Sequence, residues 1–259
     1  MIMQIIGAII FFFKRKREIM ACKLPLLLIP GLAGNKTMWE PQIQGLGDLA
    51  DCWVAPLPAW DDLGDMAQYI LAEAPPRFAV AGWSMGGYLA FEILQRAPER
   101  VLKLALMSTT PEPETGEVSK RRRASLVAIE DGGFLAEIRS LSPRFLHPER
   151  RRDGVIVELM VRQAFEIGPE AYRQHHVAMM KRPDYRHLLP KIQCPTLVVS
   201  GRQDYVTRST AQARMARGIG RSKLVQLERC AHMVTLERPV ETVRAMRQWL
   251  RQGQRAMAA

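Results

Sequence analysis

Residues 77–97 read RFAVAGWSMGGYLAFEILQRA, and their folding decides the rest of the chain. Phe78-Ala79-Val80-Ala81 is a short apolar run of the kind that forms a buried strand, whereas Leu89, Ile93 and Leu94 recur at helical spacing. Between them stands Gly82-Trp83-Ser84-Met85-Gly86, a G-x-S-x-G element at the point where strand gives way to helix. Glycine at both flanks tolerates a turn too tight for a side chain. Such a turn lifts the Ser84 hydroxyl above the sheet edge, at the positive end of the following helix. The competing reading is an ordinary strand-to-helix turn whose serine only caps the helix.

Outward from this stretch, strand-like and helix-like segments alternate. Residues 24–29 (LPLLLI) are apolar throughout, as in a parallel sheet covered on both faces, and run into the glycine-punctuated loop Pro30-Gly31-Leu32-Ala33-Gly34-Asn35. A helix is expected over 39–46, a strand over 52–56, and a helix over 63–74 capped by Asp61 or Asp62. Residues 101–107 (VLKLALM) form the next strand. From 111 to 183 strand patterns vanish and helical periodicity appears around 119–129, 155–165 and 170–180, which reads as an all-helical insertion. Alternation resumes with strands at 195–200 and 223–227 and helices at 209–217 and 240–252. This order implies α/β architecture with a mostly parallel central sheet flanked by helices. The expected organisation is an extension at 1–22, a core from 23–110 and 184–259, and the insertion at 111–183.

Composition excludes several classes. Hydrophobic residues make up 47% and charged residues 24% of the 259, enough to bury a core without cross-links. Cys22, Cys52, Cys194 and Cys230 lack any metal-finger or CxxC spacing, so reduced thiols, a cytoplasmic location and no metal are expected. The formal charge of +11 includes Arg121-Arg122-Arg123 and Arg150-Arg151-Arg152, but no nucleic-acid module accompanies these clusters. They suit solvated helix faces or a docking surface for an acidic partner. Residues 1–13 (MIMQIIGAIIFFF) are too short to span a bilayer and precede, rather than follow, their basic residues. Residues 1–17 are therefore read as a loose appendage rather than a membrane contact, and Met20 is an alternative start.

Two further strand ends supply partners for a serine. The strand over 196–200 leads into Gly201-Arg202-Gln203-Asp204, and that over 223–227 into Glu228-Arg229-Cys230-Ala231-His232. Open parallel sheets gather functional groups at the carboxyl ends of their strands, so Ser84, Asp204 and His232 can converge. Histidine can take the serine proton and return it to a leaving group, with an aspartate fixing its tautomer. His147, His175, His176 and His187 fall in or beside the insertion and are read as packing or surface residues; Met179, Met180 and Trp39 are read chiefly as core.

In its Ser–Asp–His order and in Pro30-Gly31-Leu32, Gly82-Trp83-Ser84-Met85-Gly86-Gly87, Gly201-Arg202-Gln203-Asp204 and Ala231-His232, the chain resembles the α/β-hydrolase superfamily over residues 24–252. Within it, the chain is similar to small serine esterases such as the pimeloyl-acyl-carrier-protein methyl ester esterases. The resemblance implies an α/β-hydrolase fold whose cap is the insertion, no cofactor, and an oxyanion hole from the backbone N–H groups of Leu32 and Met85. It implies hydrolysis of a small carboxylic ester or thioester through an acyl-enzyme, with a small-molecule ester as partner. Alternatives are an acyl-carrier-protein methyl ester esterase that docks its acidic carrier on the basic cap, and a ligand receptor that keeps the shell without turnover. Two departures stand out: the family's His-Gly is Pro30-Gly31 here, and no room exists between Met20 and Leu24 for the usual opening hairpin, so either the apolar N-terminus replaces it or the sheet is shorter.

Overall fold

The computed structural model describes residues 23–129 and 133–252; the extension at 1–22, with its expected appendage role, lies outside them. Six strands, β1 (Leu24–Ile29), β2 (Ala50–Val54), β3 (Phe78–Trp83), β4 (Val101–Met107), β5 (Thr196–Gly201) and β6 (Ser222–Leu227), form one sheet. Their order is β2-β1-β3-β4-β5-β6, and every neighbouring pair is parallel. Only Lys23 is described ahead of β1, so the expectation about an opening hairpin lies outside the described residues.

The uniformly apolar strands are explained by what covers them. Leu27, Ile29, Phe78, Val80, Leu104 and Leu106 point into one buried cluster with helices α2 (Leu63–Glu73) and α3 (Met85–Arg96). Leu26, Leu28, Ala79, Ala81, Ala105 and Met107 point into the other, against α1 (Glu40–Leu46) and the closing helix (Pro239–Arg251). Alternate residues thus serve opposite faces, and both faces are dry. Two elements differ from expectation, and one choice left open is decided. Strand β2 begins at Ala50 and ends at Val54, although the Ala55 N–H still bonds Leu28 O at 2.9 Å. Residues Lys36–Trp39 form a separate 3-10 turn capped by Asn35. Asp62, not Asp61, caps α2, while Asp61 pairs with Lys181 at 2.6 Å.

Among the described residues between β4 and β5 the regular elements are all helical: α4 (Gly116–Ala128), α5 (Phe134–Leu141), α6 (Gly154–Ile167) and α7 (Pro169–Lys181), with short 3-10 turns. Helix α5 is two turns long, too short to register as a period. A small apolar core of Phe134, Ile138, Val161, Ala164 and Tyr172 holds these helices together and also packs against Leu32 and Ala33. Glu114, nearly buried, pairs with Arg122 at 2.6 Å and closely with Arg182, whose guanidinium lies over the Tyr88 ring of α3. The middle arginine of the 121–123 cluster is therefore turned inward, while Arg121 and Arg123 are exposed.

His176 on α7 is buried beside Tyr172, with ring centroids 4.4 Å apart. Burial first, then the Arg122 and His175 charges, lower its pKa from 6.5 to about 3. Above pH 6.5 the ring is neutral folded or unfolded; as pH falls towards 3, only the unfolded chain takes the proton. Stability is thus lost progressively through that window, on the order of 4 kcal/mol in all. Asp48 and Asp184, each held at about 2 chiefly by an arginine hydrogen bond, act only below 3.8. Urea midpoints between pH 7 and pH 4 are expected to fall steeply in the parent and less so in His176→Gln. Equal slopes would refute the assignment.

Candidate active site

The parallel register aligns the strand ends that carry the site. Ile29 pairs with Gly82, Trp83 with Met107, and Gly201 with Leu227, so the loops after β1, β3, β5 and β6 open on one edge. Strand order reverses between β1 and β3, because the chain goes out to β2 and returns; ligand crevices form at such a switch point.

Ser84 adopts φ 53° and ψ −116°, a left-handed backbone that costs a non-glycine residue energy and persists only where its surroundings enforce it. The enforcement is visible. A side-chain carbon added at Gly82 would come 2.2 Å from Gly86 O, and one at Gly86 would come 2.2 Å from Ile29 O. The Ser84 N–H bonds Met107 O at 2.9 Å, and the Thr109 hydroxyl donates to Ser84 O at 2.9 Å. The Ser84 side chain makes no capping bond to α3, which leaves the capping reading without support.

Ser84 Oγ stands 3.0 Å from His232 Nε2, and His232 Nδ1 lies 3.1 and 3.0 Å from the two carboxylate oxygens of Asp204. Ser84 is half-buried, whereas His232 is 2% and Asp204 4% exposed, so only the hydroxyl end of the chain is open. Burial works to raise the Asp204 pKa, but His232 and the Thr207 N–H and hydroxyl outweigh it and leave it lowered. The carboxylate is therefore ionised near neutrality and can only accept. His232 Nδ1 must then carry the proton, which makes Nε2 an acceptor for the Ser84 hydroxyl.

Around this chain lie residues that pattern reading missed. Asp204 Oδ1 accepts from the N–H groups of Val206 and Thr207, and Oδ2 accepts from the Thr207 hydroxyl and Gln212 Nε2. The Asp-x-x-Thr spacing is a turn signature that could have found Thr207; nothing local pointed to Gln212. Trp83 Nε1–H donates to His232 O at 2.9 Å, and the rings of Trp83 and Phe145 flank the imidazole at 5.2 and 5.7 Å. Gln203 exchanges two bonds with Cys230, which joins the aspartate and histidine loops.

The loop after β1 reaches the same place. A Cβ at Gly31 would lie 3.1 Å from Ser84 Cβ, and a turn closed by Gly34 N–H to Gly31 O at 3.0 Å contains Leu32. Met85 is the first residue of α3, so its N–H has no partner within the helix. This loop is tied to α6: Gln163 Oε1 accepts the Asn35 N–H at 3.1 Å, and Asn35 Nδ2 donates to Glu166 at 2.5 Å.

The remaining candidates lie elsewhere. Trp39 and Met179 are buried in the two sheet-face clusters. His175 bonds Pro58 O, His147 accepts the Glu149 N–H, and His187 is exposed beside Asp184. Cys230 is buried with its Sγ facing Glu237, and burial pushes its thiol well above the usual range.

Comparison with known proteins bears on the family and the fold. The model of the alpha/beta hydrolase family matches residues 26–245. The chain belongs to that family. This alpha/beta hydrolase is 26% identical over 238 residues to a pimeloyl-[acyl-carrier protein] methyl ester esterase of Nitrosomonas europaea, covering 84% of this chain and 92% of the other. It is 30% identical over 197 residues to the protein of that name from Nitrosospira multiformis, covering 68% and 69%. Among solved structures, a thermophilic esterase from Thermogutta terrifontis superposes with a TM-score of 0.78 at 27% identity, covering 88% and 89% of the two chains. The enol-lactonase from Burkholderia xenovorans, at 21% identity and TM-score 0.77, shares the fold, covering 88% of this hydrolase and 91% of itself. No described helix of this hydrolase is long and apolar enough to cross a membrane.

Proposed function

We propose that this alpha/beta hydrolase cleaves a small carboxylic ester or thioester with Ser84 as nucleophile. The supporting observation is the unbroken run of short contacts from Asp204 through His232 to a half-buried Ser84. Ser84 Oγ attacks the carbonyl carbon as its proton passes to His232 Nε2, and the oxyanion is held by the Leu32 and Met85 N–H groups. His232 then protonates the departing alcohol or thiol, leaving the acyl group on Ser84. Water, deprotonated by the same nitrogen, attacks the ester carbonyl, and the acid leaves as Ser84 regains its proton. Asp204 keeps Nδ1 protonated and stabilises the imidazolium. Residues 111–183 act as a cap over 23–110 and 184–259: their apolar core meets Leu32 and Ala33 and supplies a wall suited to an acyl chain. A fluorophosphonate probe is expected to label the parent once, on the tryptic peptide containing Ser84. Labelling at another serine, or none, would reject the assignment.

A second reading concerns the substrate's carrier. The named activity of the Nitrosomonas and Nitrosospira relatives, together with the exposed side chains of Arg121, Arg123, Arg151 and Arg152, favours an acidic acyl-carrier protein bearing a methyl ester. With such a substrate, KM is expected to rise with salt between 50 and 300 mM, roughly the range over which exposed charges are screened, while KM for p-nitrophenyl butyrate stays level. A flat response to salt would leave only the small-ester reading.

A further inference from the structure

Glu237 ends the short helix α8 (Val234–Glu237) and is 1% exposed. A carboxylate that deep is costly unless its oxygens are fully used. Among the described residues it forms no ion pair; its close partners are backbone N–H groups, and the Cys230 thiol lies 3.9 Å from Oε1 as a weak donor. Oε1 accepts from Ala231 at 2.9 Å and Met233 at 3.3 Å, the residues on either side of His232. Oε2 accepts from His147 at 2.7 Å, ninety positions away in the chain. The N–H of His232 itself bonds Phe145 O at 3.0 Å. Three successive donors of the histidine loop are thus committed, the outer two to one side chain and the middle one to the segment which that side chain also grips.

From this arrangement we infer that Glu237 is the positioning residue for His232. It locks the loop that carries the imidazole to the 145–147 segment and so sets the reach of Nε2 to Ser84. Only a carboxylate fits, because both oxygens must accept. Glutamine keeps the shape, but its amide would turn an N–H towards another N–H, at His147 or at Ala231 and Met233. The role rests on the reading of Ser84 and His232 given above, and two readouts separate it from that reading.

The test uses the full-length chain, with hydrolysis of p-nitrophenyl butyrate and the proton NMR signal of the imidazole N–H held by Asp204. Glu237→Gln, shown folded by circular dichroism, is expected to lose kcat on the order of 10²-fold, as a misplaced catalytic group does. KM should stay within about two-fold, since binding is untouched. The downfield N–H signal should broaden or disappear. If Glu237→Gln does not accumulate as folded protein, Glu237→Asp takes its place with the same expectation, because one methylene less cannot span both segments. A folded variant with parental kcat and an unchanged signal, or a loss confined to KM, overturns the inference. Ser84→Ala runs alongside: parental turnover there would defeat the nucleophile assignment, while the NMR signal still decides whether Glu237 holds His232.

Discussion

Ser84→Ala is expected to lower kcat for p-nitrophenyl butyrate by about five to six orders of magnitude, the effect of removing a serine nucleophile whose base and orienting acid then have nothing to activate. The substitution deletes one oxygen from a half-buried position that makes no bond to its own helix, so folding and thermal stability should be nearly unchanged. The residual rate would come from the oxyanion donors and from substrate binding, which belong to the backbone and survive the change. Retention of a tenth or more of parental kcat, far above the roughly 10⁻⁵ to 10⁻⁶ that a lost nucleophile leaves, would remove Ser84 from the mechanism.

Asp204→Asn is expected to cost about 10⁴-fold in kcat with little change in fold, through the tautomer of His232 rather than through charge alone. The position occupied by Oδ1 accepts two backbone N–H groups, from Val206 and Thr207, which cannot reverse their roles. The asparagine oxygen must therefore take that place, and its amide must take the place of Oδ2. There it faces His232 Nδ1, which becomes an acceptor, and the ring proton moves to Nε2. An Nε2–H cannot receive the Ser84 proton. The Thr207 hydroxyl can rotate to accept the new amide, whereas Gln212 Nε2 meets a donor and loses its bond. Single-turnover acylation of the parent and the variant under the same conditions is the check. Acylation within about ten-fold of the parent would mean that Asp204 does not set the tautomer.

The parts of this site legible in the sequence were those written in neighbouring residues. Gly82 and Gly86 announce a turn because any side chain there meets backbone, and the apolar runs on either side say which elements it joins. Asp204 and His232 could be picked out because each follows a strand of a sheet whose parallel order brings such ends together. The supports were illegible for a physical reason: they are contacts across long chain separations, made by residue types that are common on any surface. Gln163 reaches Asn35 over 128 positions, and Glu237 reaches His147 over 90. No periodicity marks a glutamine or glutamate destined for burial. Helix α5 escaped for the opposite reason, being too short for periodicity to accumulate. The arginine clusters were legible as charge but not as orientation, since Glu114 draws Arg122 inward.

The ties from Asn35 to Gln163 and Glu166 carry a consequence for anyone exchanging parts between such proteins. The helical insertion does not rest on the sheet's carboxyl edge as a detachable roof; one of its helices is moored to the very loop that presents Leu32. A transplanted insertion would arrive with its own spacing to that mooring and would drag the loop with it. Swaps that carry residues 35, 163 and 166 as one module should keep their rate, and those that split the trio should gain a new substrate range only at the expense of speed.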